Sequence, residues 1–309
     1  MIITLTLNPA LDKTAAVDIM RVNALNRLRN ITVSAGGKGI NVSSVIRNLG
    51  GTSLAMGFAG GASGEELLRQ ITDRGIPHDF VRSRGDTRIN LKVIQNGGGL
   101  TELNEPGMAP SSGEWAELKK KLLNRAGPGV LFVLAGSLPP GLPDDTYREL
   151  CLTLHKTGAQ VFVDTDCAPL KLALESPPDF IKPNRDELLR YFGVRNPSEE
   201  QLLEMCGKLL ATGIKLAAVS LGSEGALFAA EGQMWRAPAV PVTVQSTVGA
   251  GDAMVGALAY GIDKGLPLEE CFALAMAVSA GAAATPGTQA PSEDSIQELL
   301  TRVVLEKVR

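Results

Sequence analysis

The chain has 309 residues, enough for two average domains or for one large α/β unit. It is 44% hydrophobic but only 4% aromatic, so its core must be aliphatic and alanine-rich, which suits close packing of helices on a sheet. A net charge of −3 leaves no electrostatic case for nucleic acid or for an anionic membrane, and any anionic ligand must meet a local basic cluster. The four cysteines (Cys151, Cys167, Cys206, Cys271) are widely spaced, and His78 and His155 stand alone. A zinc site or disulfide framework is therefore not expected, and reduced thiols are the default. The N-terminus lacks a basic, signal-length apolar run. The most apolar helical stretch, Cys271 to Ala284, falls short of the roughly 20 residues that a membrane span needs. A soluble cytoplasmic protein is expected.

Ile2 to Leu7 is β-rich and ends at Asn8-Pro9, as a central strand entering a loop would, with Asp12 just beyond. Ala15 to Ser34 mixes β-branched residues with Arg21, Arg27 and Arg29 and does not read as a helix. Gly36-Gly37-Lys38-Gly39 opens a helix from Ile40 to Leu49. This glycine turn lacks the G-x-x-x-x-G-K-[ST] spacing of a P-loop, so it is either a backbone cradle for a ligand or a structural turn. Ser53 to Phe58 reads as a strand and Glu65 to Arg74 as a helix stopped by Gly75-Ile76-Pro77. Thr87 to Ile94 alternates polar and apolar residues, which predicts a half-exposed strand carrying Arg88, Asn90 and Lys92 on one side. After Gly97-Gly98-Gly99, Leu100 to Leu103 returns as a second strand.

From Ser111 onward, helix and strand alternate. Helices are expected at Glu114–Asn124, Thr146–Lys156 and Glu199–Thr212, and strands at Val130–Leu134, Gln160–Val163, Phe180–Ile181 and Lys215–Leu221. Asp164 stands at a strand end. Pro183 bars helix at Lys182, and Asn184 is suited to cap a helix starting near Arg185. Ser220-Leu221-Gly222 leads through a turn to Ala226–Ala230. Leu268–Thr285 and Ser292–Val308 read as helices. The alternation predicts a mostly parallel sheet with helices on both faces.

Ser246 to Ala257 carries the strongest local signal. A glycine turn opens an apolar helix at Ala253, with Asp252 in its first turn. Helix N-terminal amides lack intrahelical partners and carry partial positive charge, and Gly249 and Gly251 leave them open to an anion. Such a site stabilises charge on a phosphoryl group in transfer, and a carboxylate there is suited to take a proton from an attacking hydroxyl. The alternative is a plain cap by Asp252, Ser246 or Thr247.

Thr247-Val248-Gly249-Ala250-Gly251-Asp252 resembles the second signature of the PfkB (ribokinase-like) sugar kinases, and Ala35-Gly36-Gly37-Lys38-Gly39-Ile40-Asn41-Val42 resembles the first. The likeness runs from Leu5 to about Gly287. It implies one ribokinase-like kinase domain over residues 1–309, with a small β-sheet lid inserted at about 12–34 and 86–104. It further implies Asp252 as the catalytic base, with the Gly249, Ala250 and Gly251 amides as an anion hole. Asp12, Arg27, Gly37, Lys38, Asn41, Arg88, Asn90 and Ser137 would meet the sugar and its phosphate. Lys182, Asn184, Ser220, Gly222, Thr247, Gly249 and Gly251 would meet ATP, and Asn184, Glu187 and Asp164 would organise Mg2+. Ala284 to Thr288 lies where the family contacts adenine, although an asparagine found there in some relatives is absent.

The pairing of T-R-I-N-x-K (residues 87–92) with N-E-P-G (residues 104–107) is most similar to the family's fructose-1-phosphate kinases. The expected reaction is transfer from ATP to the 6-hydroxyl of D-fructose 1-phosphate. Tagatose-6-phosphate or fructose-6-phosphate kinase activity is the alternative, and a non-catalytic sugar-phosphate-binding regulator a more distant one. A dinucleotide oxidoreductase would need G-x-G-x-x-G after the first strand, where Asn8-Pro9-Ala10 stands instead. The lid sheet also offers open edges through which a homodimer could form.

Overall fold

In the computed structural model, residues 1–309 are described except 166, 286, 288 and 289. Fourteen strands lie in two sheets among the described residues. In chain order they are β1 (Ile2–Thr6), β2 (Ala10–Val17), β3 (Arg29–Gly36), β4 (Ser53–Gly60), β5 (Val81–Ser83), β6 (Arg88–Gln95), β7 (Leu100–Asn104), β8 (Leu131–Ala135), β9 (Gln160–Asp164), β10 (Phe180–Ile181), β11 (Leu216–Ser220), β12 (Ala226–Ala230), β13 (Gln233–Ala237) and β14 (Glu306–Lys307). The helices are α1 (Lys38–Asn48), α2 (Gly61–Asp73), α3 (Ser112–Leu123), α4 (Thr146–His155), α5 (Cys167–Ala173), α6 (Arg185–Phe192), α7 (Glu199–Ala211), α8 (Ala250–Lys264), α9 (Leu268–Ala283) and α10 (Glu293–Leu300).

The large sheet runs β14-β13-β12-β11-β10-β9-β8-β1-β4-β5. It is parallel from β5 to β11 and antiparallel beyond. Every residue of β1 is buried, as a central strand covered on both faces requires. Alternate β1 side chains serve opposite cores: Ile3 and Leu5 join Phe58, Phe132 and the α3–α4 side, while Ile2 joins Val42, Phe272 and the α8–α9 side. Thr4 is buried too, and its hydroxyl meets Ser43 at 2.7 Å, with Ser53 donating to Ser43 at 2.9 Å. The Thr4 hydroxyl is thus bonded, whereas the buried Thr6 hydroxyl at the end of the strand has no partner.

The small sheet runs β3-β2-β6-β7, with β2 and β6 parallel and the outer pairs antiparallel. Its strands come from the two segments expected to form an insert, and the first strand begins at Ala10, slightly ahead of the expected start. Ala35 and Leu11 anchor it to the α2 side of the body, and Gln70 of α2 accepts from the Ala35 amide at 2.6 Å.

Two expected elements differ. The helix expected from Glu65 begins a turn earlier, at Gly61, directly after β4. The helix expected over Ser292–Val308 ends at Leu300. The chain then turns, and β14 pairs with β13, so Glu306 and Lys307 extend the antiparallel edge. Edge pairing has overridden the helical pattern there.

Small residues let α8 pack closely on α1. A Cβ at Gly256 would lie 2.8 Å from Val45 Cβ and Cγ1 and 3.2 Å from the Val42 carbonyl. Val45 is buried and has little room to move. Gly256→Ala should therefore lower stability by about 1–3 kcal/mol in chemical denaturation, the usual cost of overpacking. An unchanged midpoint would contradict this account of the α1–α8 contact.

Candidate active site

The C-terminal ends of the parallel strands converge with the N-termini of α1 and α8. Gly249 adopts a left-handed φ of 87° and forms the N-cap of α8 with no side-chain cap bond. The capping alternative for Asp252, Ser246 or Thr247 therefore fails. Ser246 instead accepts from the Val248 amide at 3.2 Å, and the first amides of α8 are left without intrahelical partners.

Asp252 is only 8% exposed. Its Oδ2 accepts a hydrogen bond from Asn41 Nδ2 at 2.7 Å. Beside it lies Asp164, the last residue of β9, fully buried. Lys38 Nζ is 3.3 Å from Asp164 Oδ2 and Lys182 Nζ is 3.4 Å from Asp164 Oδ1. These are ion-pair distances, and neither Asp164 oxygen makes a hydrogen bond. Gly251 leaves room for this arrangement, because a Cβ there would sit 3.3 Å from Lys182 Nζ.

The electrostatics follow from that geometry. Burial raises the Asp164 proton affinity, but Lys182 and Lys38 together outweigh it and hold the carboxyl below its usual range. Burial is also the largest influence on Lys38 and pulls its ammonium down, yet Asp164, Asp252 and Glu187 overcome it and raise it. Asp252 moves the other way. Burial, then repulsion from Asp164, push its carboxyl up to about 6, against the opposing pull of Lys38, Asn41 and Lys182.

A second polar group adjoins this one. Asp12 on β2 accepts from Asn90 Nδ2 at 3.0 Å and from Lys92 Nζ at 3.1 Å. Gly36 allows it, since a Cβ there would lie 2.7 Å from Asp12 Oδ2. Gly37, with φ of 122°, is the N-cap of α1. The Oδ1 atoms of Asn41 and Asn90 are buried acceptors without donors. They are suited to receive ligand hydroxyls. Lys92 was not among the site candidates read from the sequence. The signal was present in the alternation that puts it on the face of Arg88 and Asn90.

Arg88 donates to the Asn8 and Glu105 carbonyls, each at 3.1 Å, and Glu105 Oε2 accepts from the Ile89 amide at 2.8 Å. Asn90 pairs with Asn104 across β6 and β7. The T-R-I-N-x-K and N-E-P-G stretches are thus one hydrogen-bonded unit abutting Asp12. Asn8, another residue not singled out from sequence, ties that unit to the Ser137 loop by donating to Pro106 O at 3.1 Å and Ser137 Oγ at 3.4 Å. Arg27 does not join the group. It is exposed between β2 and β3 and forms no ion pair among the described residues.

Asn184 caps α6 in a reciprocal box: Glu187 N donates to Asn184 Oδ1 at 2.9 Å, and Asn184 N donates to Glu187 Oε2 at 2.8 Å. Ser220 N donates to the Pro183 carbonyl at 3.1 Å, so the Ser220–Gly222 turn lies against the Lys182–Asn184 loop. Among the described residues no group of three or more acidic, histidine or cysteine side chains has metal-site geometry. Thr285 of the expected adenine stretch bonds the Gly281 carbonyl, and Pro286 and Thr288 lie outside the described residues. A cleft of about 1100 Å3 opens between the small sheet and the body, lined by Asp12, Lys92, Thr247 and others.

The model of the pfkB family of carbohydrate kinases matches residues 5–295. The chain belongs to that family. Among the PfkB proteins it resembles, a 1-phosphofructokinase of Borreliella burgdorferi is 35% identical over 309 residues, covering 100% of this chain and 99% of the relative. A 1-phosphofructokinase of Xanthomonas campestris is 37% identical over 283 residues, covering 90% and 89%. The crystal structure of phosphofructokinase-2 from Escherichia coli in complex with substrates and products superposes with a TM-score of 0.93 at 32% identity, covering 97% of this chain and 98% of that one. The two stretches that resemble the family's signatures form the α1 and α8 N-termini, which carry Asn41 and Asp252.

The raised Asp252 affinity has a stability consequence. An unfolded aspartate ionises near 3.9, whereas this one ionises at about 6. Between those values the native state holds the extra proton, so this group's contribution is full below about pH 4 and is lost as pH rises through about 6. Asp252→Asn removes that loss. The variant should gain roughly 3 kcal/mol over the parent above pH 7 in denaturant titrations, with the difference shrinking towards pH 4. A variant less stable than the parent at pH 7.5 would contradict the assignment.

Proposed function

We propose that this kinase transfers the γ-phosphoryl of ATP to the 6-hydroxyl of D-fructose 1-phosphate. The observation that carries the reading is Asp252: a buried carboxylate at a helix N-terminus with no side-chain cap, raised to about 6 beside Asp164, which holds both ammonium groups. A base poised just below neutral pH is ionised in use and still a competent proton acceptor. The acceptor hydroxyl gives its proton to Asp252 as its oxygen attacks phosphorus. The Gly249, Ala250 and Gly251 amides, with Lys38 and Lys182, balance the charge on the transferring group. Asp12, Asn90, Asn41 and Gly37 hold the sugar, with Ser137 and Arg88 beside them.

The nucleotide lies along Thr247, Ser220, Gly222 and Asn184. The donor set fits Mg2+, because the α6 cap uses only one Glu187 oxygen, while the Asp164 oxygens, each facing an ammonium, would reach the ion through water. Asn184, Glu187 and Asp164 would hold the ion largely through water. Bound there, it would neutralise the nucleotide phosphates.

The acceptor follows from the unit joining residues 87–92 to 104–107, the part of the sequence most like fructose-1-phosphate kinases, and from relatives bearing the name 1-phosphofructokinase. We further propose that residues 1–309 act as one domain, with the small sheet as a lid that excludes water. Ile31, Val33, Ile89 and Leu103 are exposed on that sheet and favour a second copy of the chain as its partner. No described helix is long and apolar enough to cross a membrane, and the free, buried Cys151, Cys206 and Cys271 suit a reducing cytoplasm.

ADP release should be measured with Mg-ATP and fructose 1-phosphate, fructose 6-phosphate, tagatose 6-phosphate or fructose. Fructose 1-phosphate should give the highest kcat/KM, rising with pH through an apparent pKa of about 6. Asp252→Asn should lower kcat by about a thousandfold. Preference for a 6-phosphate would refute the acceptor assignment and leave the base intact. No turnover with any acceptor would favour a binding protein.

A further inference from the structure

The cleft continues past Asp12 and Lys92 to a second pair of cations, Arg47 of α1 and Arg74 at the end of α2. We propose that Arg47 and Arg74 form an anion subsite that takes a phosphomonoester group, distinct from the phosphoryl site at the α8 N-terminus.

Arg47 is fixed in orientation. Its Nε donates to the Gly75 carbonyl at 3.2 Å. Gly75 has a φ of 64°, and a Cβ there would lie 2.8 Å from Arg47 Nη2, so the guanidinium lies across the residue that follows Arg74. The outer nitrogens of Arg47 make no further bond among the described residues. Arg74 is half-buried and makes no side-chain hydrogen bond or ion pair there at all. Its guanidinium is pulled below its usual range by burial, with no carboxylate restoring it. The nearby acids are engaged elsewhere. Glu66 and Asp73 of α2 both pair with Arg69, at 2.7 and 2.6 Å, and Asp12 is held by Asn90 and Lys92.

Both guanidiniums line the same cleft without a counter-charge among the described residues, Arg47 exposed and Arg74 half-buried. A planar, multiply donating pair of this kind matches the oxygens of a phosphate. Arg47 lies six residues beyond Asn41, about 9 Å along α1. The group bound here therefore sits well away from the base. It is either the acceptor's own phosphate, with the sugar spanning the cleft, or the phosphate of a second ligand bound beside the acceptor. The first form rests on the phosphosugar-kinase reading; the second does not.

The test is calorimetric titration of inorganic phosphate into the nucleotide-free parent and the Arg47→Gln/Arg74→Gln double variant, with kcat and KM for fructose 1-phosphate on the same preparations. Phosphate affinity should fall by about tenfold or more in the double variant. If KM for fructose 1-phosphate rises in the same proportion while kcat holds, the ligand is the acceptor's phosphate. If KM is unmoved and phosphate still binds the parent saturated with fructose 1-phosphate, it is a second ligand. A folded double variant that binds phosphate as the parent does overturns the proposal. Should the double variant unfold, Arg74→Lys retains the charge but not the fork, and its unchanged affinity would overturn the proposal equally. Failure of the kinase reading would show separately, as a parent that releases no ADP with any acceptor while the phosphate comparison stands.

Discussion

Two carboxyl groups buried side by side cannot both stay ionised unless cations compensate them unequally. Here the compensation is lopsided. Asp164 takes both ammonium groups, one on each oxygen, while Asp252 receives a neutral amide from Asn41. Asp164 therefore keeps its charge, and Asp252 bears the repulsion. The fold is arranged to create that inequality. It brings the end of β9, the start of α1, the Lys182 loop and the start of α8 to one point, and the cost of burying charge is met where proton transfer is proposed to need it.

Backbone without side chains makes the meeting possible. At Gly251 the absent Cβ is replaced by the Lys182 ammonium, and at Gly36 by the Asp12 carboxylate. Each glycine admits a charged group to a helix or strand end. The small sheet then contributes Asp12, Asn90 and Lys92 from strands that alternate in register, so one face of β2 and β6 supplies a set of polar groups at hydrogen-bond distance.

Much of this was readable in the sequence because it rests on local chemistry. The alternation of strand and helix gave the layered sheet. Asn184 after Pro183 read as the cap of α6, and the polar alternation from Arg88 to Lys92 specified a strand face. What was not readable depended on tertiary pairing. Nothing local to Lys92 says that it will meet Asp12, 80 residues away, and nothing at Lys38 or Lys182 says that both will converge on Asp164. The last stretch misled for the same reason: Glu306 and Lys307 belong to a sheet edge whose partner, β13, is some 70 residues earlier. Arg47 and Arg74 belong to helix ends that read as ordinary solvated charge until the cleft that both line is seen.

The central claim is the unequal state of the two carboxyl groups, and carbon-13 NMR of the aspartate side chains measures it without turnover. The Asp252 carboxyl, assigned by its loss in Asp252→Asn, should titrate near pH 6 in the parent and at lower pH in Asp164→Asn, where the neighbouring charge is gone. A parent Asp252 that titrates below pH 4, or one that does not move when Asp164 is neutralised, would contradict the account.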